Sequence, residues 1–148
     1  MALITLTTDF GTKDGYVGAM KGRILSLHSE AKIVDITHDI KAQNKAEAAW
    51  CLKRSVPQFP DGTIHVAVVD PGVGSEREAL LAYAGNQWLI GPDNGIFSLL
   101  LNRVGPHALY HLDRETEWWN AHQSFDGLAI FAPAAACLAK GIRPMQMG

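Results

Sequence analysis

The segment Val66–Arg77, VAVVDPGVGSER, constrains the fold of this chain more than any other. An unbroken apolar run passes within a few residues into an acid, a proline, two glycines and an arginine. Ala67, Val68 and Val69 read as a strand buried on both faces, the pattern of parallel sheets covered by helices on each side. Asp70 falls where that strand leaves the sheet, and Pro71-Gly72 forces a turn. Gly74 allows close backbone approach or a positive φ, and Arg77 returns a permanent positive charge towards Asp70. A carboxylate and a guanidinium on a stiff loop at a strand's carboxyl end suit a ligand site in an α/β protein. They suit equally a structural Asp–Arg pair that closes the turn.

Flanking segments supply the rest of an α/β domain. Leu3–Thr7 and Ile33–Ile36 read as strands, and a helix from Tyr16 to Leu27 carries Val17, Met20, Ile24 and Leu27 at helical spacing. Asn44 is a candidate N-cap for a second helix through Ala48, Cys51, Leu52 and Val56. Thr63–Val69 is the third strand. Ala79–Ala84 and Gln87–Ile90 flank Gly85-Asn86, a two-residue hairpin turn. A short helix at Ile96–Leu101, a strand at His107–Leu112 and a helix at Ile130–Lys140, stopped by Gly141, complete the order. The expected fold is α/β: a mixed, largely parallel sheet with helices on both faces. At 148 residues and 47% hydrophobic, the chain has material for one core, hence a single domain over 1–148.

Composition excludes several classes of function. The net charge is −2 and the pI about 6.3, with Lys and Arg scattered singly, so no nucleic-acid footprint or membrane-surface patch is present. No apolar run approaches the roughly 20 residues of a membrane span. The opening MALITLTTDF has no basic n-region, so it does not read as a signal peptide. Cys51 and Cys137 read as small buried thiols of a cytoplasmic protein. The six histidines lack metal-ligand spacing, and His38 and His65 read as satisfied structural histidines. Neither a phosphate-binding glycine loop nor a nucleophile elbow occurs.

The strand ends are acidic. Thr8-Asp9, His38-Asp39, Asp70 and Asp93-Asn94-Gly95 each follow a strand, and parallel strands bring their carboxyl ends to one edge. Carboxylates gathered there suit a ligand with hydroxyls and an amine better than a nucleotide phosphate. Asp39 and Asp93 have an alternative reading as helix caps.

Four segments in this order and spacing, TTDFGTKDGYVGAMKG (7–22), IVDITHDIKAQN (33–44), FPDGTIHVAVVDPGVGSER (59–77) and GPDNGIFS (91–98), resemble one family. It is the S-adenosyl-L-methionine (SAM) hydroxide adenosyltransferases, hydrolases that form adenosine and methionine and are related to fluorinating and chlorinating enzymes. The resemblance continues through SFDGLAIFAPAAACLAKG (124–141), where the family reads TFHGRDIFAPAAAHLA. It implies that Asp9 holds the ribose diol, that Asp14 lies near the methionine end and that Asn94 lines the nucleoside pocket. Asp70 and Arg77 match two members of an Asp–Arg–His constellation that directs water or hydroxide at ribose C5′. Methionine is already a good leaving group from the sulfonium, so neither metal nor cofactor is implied.

The chain departs from the family at the third member. Asp126 replaces the histidine, and Leu128 and Ala129 replace the arginine and aspartate of HGRD. An aspartate lacks the imidazole's neutral donor, and near Asp70 it would repel a second carboxylate. The resemblance also implies a homotrimer and a C-terminal β-barrel-like domain, which 1–148 does not contain. Trp118 and Trp119 read as surface-prone aromatics that line a pocket or, by preference, bury a subunit contact. The sequence therefore implies SAM hydrolysis, impaired by Asp126. The alternative is a weak or inactive homologue that binds SAM or adenosine, or an assembly subunit. A signalling module of flavodoxin-like shape fits the size but not the four motifs.

Overall fold

A computed structural model describes residues 3–70, 78–114, 116–119 and 127–148. Six strands form one sheet in the order β2-β1-β3-β5-β4-β6. They are β1 (Leu3–Thr8), β2 (Lys32–Thr37), β3 (Ile64–Val68), β4 (Ala79–Ala84), β5 (Gln87–Pro92) and β6 (Pro106–Leu112). β2, β1, β3 and β5 run parallel, and β4 pairs antiparallel with both β5 and β6. The fold is therefore α/β with a mixed, mostly parallel sheet.

Helices α1 (Tyr16–Leu27) and α4 (Ala132–Lys140) cover one face, α2 (Lys45–Ser55) and α3 (Ser98–Val104) the other. The alternation of the strands produces this division. On β1 and β3, Ile4, Leu6, Val66 and Val68 pack with Val17, Met20 and Ile24 of α1. Ala67 of β3 and Val69 just beyond it face the opposite way, towards Ala48 and Leu52 of α2 and Leu100 of α3. β3 is thus buried at every position, as its apolar run implies. From β1 the chain crosses to β2 on one side, then back over β1 to β3 on the other. Right-handed connections in opposite directions put α1 and α2 on opposite faces, and they open a crevice where β1 and β3 part.

Local chemistry accounts for the element ends. Asn44 caps α2 by accepting a hydrogen bond from the Glu47 amide at 3.0 Å. Gly85 (φ +56°) and Asn86 (φ +62°) form the left-handed pair that a two-residue hairpin requires. A Cβ on Gly91 would run into the Ala67 carbonyl oxygen and the Phe97 ring, so only glycine lets β5 sit this close to β3.

Several expectations need correction. α3 runs over Ser98–Val104 rather than Ile96–Leu101, because Gly95 (φ +94°) still belongs to the preceding turn. The last helix begins as a π-helical turn, Gly127–Phe131, before the regular helix starts at Ala132. Neither Asp39 nor Asp93 caps a helix: Asn44 occupies that position for α2 and Phe97 for α3. Trp119 is not apolar surface. It lies in the core at 4% exposure, its indole N–H donating to the Asp113 carbonyl at 3.0 Å, and Trp118 packs half-buried against the same cluster.

Candidate functional site

The parallel register fixes the geometry of the crevice. Thr8 pairs with Val68, so Asp9 and Asp70 leave neighbouring strands on the same edge. β5 continues alongside β3, and Asn94 follows it at that edge. Asn94 is fixed there: its side-chain amide donates to the Val69 carbonyl at 3.0 Å, while its Oδ1 accepts the Ile96 amide at 3.3 Å. Lys45 Nζ reaches the Asn94 carbonyl at 3.4 Å, tying the start of α2 to this loop. Asp70 is 8% exposed, a buried carboxylate directly beside Val69. The sheet thus brings together Asp9, Asp70 and Asn94. Arg77 and Asp126 lie outside the described residues.

The loop between β1 and α1 carries the other acids. Asp9 is half-buried, and its Oδ2 accepts the Gln43 backbone amide at 2.7 Å. Gln43 adopts φ +62°, a left-handed conformation that a non-glycine residue takes at some cost. Asp14 is exposed at the other end of the loop, just before Gly15 (φ +80°) opens α1. Asp14 is exposed, whereas Asp9 has one oxygen already engaged by the Gln43 amide.

A polar chain, buried at Thr8 and His38 and exposed at Asp35, runs beneath this loop. Thr8 Oγ1 and His38 Nδ1 are 2.8 Å apart, and His38 Nε2 lies 2.8 Å from Asp35 Oδ1. Asp35 Oδ2 meets Lys21 Nζ at 2.7 Å. Partial burial pushes the Asp35 carboxyl up, but hydrogen bonds from Lys21 and His38 outweigh it and hold the pKa below the usual range. The two Thr-bearing strand ends, Thr8-Asp9 and Thr37-His38-Asp39, were the only signal of this network in the sequence. A second chain crosses the middle of the sheet. Thr5 Oγ1 is 2.7 Å from His65 Nδ1, His65 Nε2 bonds Gln87 Oε1, and Gln87 Nε2 donates to the Val56 carbonyl at 3.0 Å. Burial depresses the His65 pKa to about 4 despite the Gln87 bond, so the ring is neutral near pH 7. Both histidines are satisfied structural groups, as their positions implied.

Beside the site, β2 and α2 enclose an open groove of about 410 Å³ that includes Thr37, Asp39, Glu47, Trp50 and Arg54. Among the described residues, no three His, Cys, Asp or Glu side chains gather so as to hold a metal ion. No described helix is long and apolar enough to cross a membrane.

Fold and strand ends together define a doubly wound α/β domain with an acid-rich edge at its topological switch point. Residues 4–148 match the SAM hydroxide adenosyltransferase N-terminal domain. The chain belongs to this family. A curated relative from Methanocaldococcus jannaschii, named (R)-S-adenosyl-L-methionine hydrolase, is 42% identical over 139 residues, 90% of this chain and 52% of its own length. A hydrolase of the same name from Thermus thermophilus is 34% identical and aligns with 100% of this chain and 61% of itself. A fluorinase from Actinopolyspora mzabensis is more distant, at 24% identity over 74% of this chain and 44% of its own. A solved structure from Thermotoga maritima superposes with a TM-score of 0.93 at 34% identity, over 99% of this chain and 57% of that one. The chain therefore spans about half the length of the hydrolases it matches.

Proposed function

We propose that this chain is the catalytic α/β part of a SAM hydrolase that forms adenosine and L-methionine. The observation that carries the reading is the convergence of Asp9, Asp70 and Asn94 at the β1/β3 edge, in a chain that aligns over most of its length with named hydrolases. In those names L-methionine already fixes the α-carbon, so the (R) refers to the sulfonium, and the (R) epimer is the proposed substrate.

The chemistry is an in-line displacement. A water oxygen attacks ribose C5′, the C5′–S bond breaks, and its electron pair returns to sulfur as the neutral thioether of methionine. The water's proton passes to a carboxylate or to solvent. No redox partner enters this balance, and the reading includes no metal or cofactor. Asp70, buried just past the end of β3, orients the water, with Arg77 as its charge partner; excluding bulk water strengthens both contacts. Asn94 borders the nucleoside. Asp9 and Asp14 take the ribose hydroxyls and the ligand's amine. Asp9 holds the ribose diol, its carboxylate oriented by the Gln43 amide, and Asp14 lies near the methionine end.

The second reading, a homologue that binds SAM or adenosine but turns over slowly, is favoured by Asp126 in place of the family histidine. The proposal extends to a homotrimer in the cytoplasm. Two buried free thiols, Cys51 and Cys137, fit a reducing compartment.

Incubation with (R)-SAM, followed by chromatography of adenosine and methionine, tests the reading. Hydrolysis is expected, with Asp70→Ala lowering kcat at least about a hundredfold, the scale of a lost nucleophile-orienting group. Asp126→His is expected to raise the rate. Turnover untouched by Asp70→Ala would overturn the site assignment. Adenosine binding without turnover would establish the second reading.

A further inference from the structure

β1 and β2 pair in register from Leu3↔Lys32 to Leu6↔Asp35, and then the register slips so that Thr7 faces Thr37. One extra residue, Ile36, is inserted in β2. The insertion matters because successive strand residues alternate in direction. Without it, Asp35 and His38, three apart, would point to opposite faces of the sheet. With it, both reach the α1 face, where Lys21 and Thr8 await them. The slip lies at the last turn of the chain before the ligand edge.

The resulting hydrogen bonds have a consistent direction. Ionised Asp35 can only accept, so His38 carries its hydrogen on Nε2 and donates it there. In that tautomer Nδ1 accepts the Thr8 hydroxyl, and Thr8 Oγ1 accepts the Phe10 amide at 3.2 Å. The backbone carbonyl of His38 also accepts the Gly11 amide at 2.8 Å. Asp9, between Phe10 and Thr8, is pinned from the same side by the Gln43 amide. Every residue from Thr8 to Gly11 is thus bonded to a neighbour in this loop pair, and His38, only 5% exposed, lies at its centre.

We propose that His38 is a positioning residue: through Thr8 it sets the conformation of the loop from Asp9 to Asp14 and thereby the affinity of the site for its nucleoside ligand. The hydrogen bonds stand independently; that the loop grips a nucleoside rests on the function proposed above. His38 touches no reacting atom, so its loss acts on binding far more than on chemistry.

Two replacements divide the ring's roles. In His38→Asn the side-chain oxygen takes the place of Nδ1 and keeps the Thr8 bond while losing Asp35. In His38→Gln the amide nitrogen takes the place of Nε2 and keeps Asp35 while losing Thr8. Amide hydrogen exchange at Phe10, Gly11 and Gln43 is measured in the unliganded protein and in both variants, with Thr8→Val as a third. KM and kcat for (R)-SAM and Kd for adenosine are measured in parallel. His38→Gln and Thr8→Val are expected to speed exchange at Phe10 and Gln43 about tenfold and to raise KM and Kd about tenfold, one hydrogen bond's worth, with kcat within about threefold. His38→Asn is expected to stay within about threefold of the parent in every readout. Equal behaviour of the Asn and Gln variants, or unchanged exchange in Thr8→Val, overturns the proposal. A parent protein that binds neither SAM nor adenosine overturns the function proposed above, and the exchange pattern alone then decides the positioning role.

Discussion

His65 and His38 are buried alike, at 0% and 5% exposure, yet they belong to different kinds of network. His65 lies mid-sheet in a closed circuit. Thr5, Gln87 and the Val56 carbonyl satisfy every polar atom, and the Phe59 ring stacks edge-on against it at 5.3 Å. That circuit closes within the sheet and on the Val56 carbonyl just past α2, away from the strand ends that carry Asp9 and Asp70. The His38 chain is open at both ends: one end is Lys21 at the surface, the other the backbone of the loop after β1. A closed polar circuit fixes strand register and contributes only to stability. An open one can carry a local change from one side of the fold to another.

The largest expected effect separates the two by stability. His65→Ala opens a cavity in the sheet and leaves the Thr5 hydroxyl and Gln87 Oε1 without their His65 partner, a loss of roughly 3–4 kcal/mol in chemical denaturation. Ligand affinity per folded molecule should stay the same. A fall in adenosine affinity comparable to that of Thr8→Val would break the contrast.

Titration sharpens it next. The His65 pKa is lowered from 6.5 to about 4, so between those values the unfolded chain binds the proton that the folded one refuses. Stability from this group is complete above about pH 6.5 and is lost as pH falls towards 4, up to roughly 3 kcal/mol. Urea denaturation from pH 7.5 to 4 should show that loss, and His65→Gln should flatten the part of the slope that His65 contributes.

The smallest effect belongs to the outer end of the open chain. Lys21 and Asp35 are both more than a third exposed, so water and salt screen their bond. Lys21→Met should change stability by less than about 1 kcal/mol, shrinking further in added salt, and KM for SAM by less than twofold. A larger change in KM would show that the surface end of the chain, and not His38 alone, holds the loop.

Much of this architecture was legible in the sequence because it depends on short-range signals. The spacing of Val17, Met20, Ile24 and Leu27 predicts α1 to the residue, and Gly85-Asn86 predicts its hairpin. The shared edge of Asp9, Asp70 and Asn94 followed from the parallel order of the strands, itself read from apolar runs. What escaped depends on distant partners. That His38 is satisfied could be argued from its place at a strand end, but Thr8 is 30 residues away and the bulge at Ile36 leaves no mark in composition. Asp39 and Asp93 look like caps because acids before helices usually are; the loops here run on for several residues more. The adjacent tryptophans mislead for a related reason, since burial of Trp119 is decided by a core that α4 completes from elsewhere in the chain.

The strand order also sets a timetable on the ribosome. β3, apolar but for His65, emerges with one edge bare, and its partner on that side is not the next strand made but the one after it. β5 ends about two dozen residues later, on the order of one to five seconds of synthesis at ordinary speeds. The hairpin forms within microseconds once Gly85-Asn86 is out, and it must then dock with its second arm inward. Until it does, the nascent chain displays an unpaired hydrophobic edge that any other extended segment can pair with. The strand that leads into Asp70 is therefore, for those seconds, an exposed pairing edge of the growing molecule.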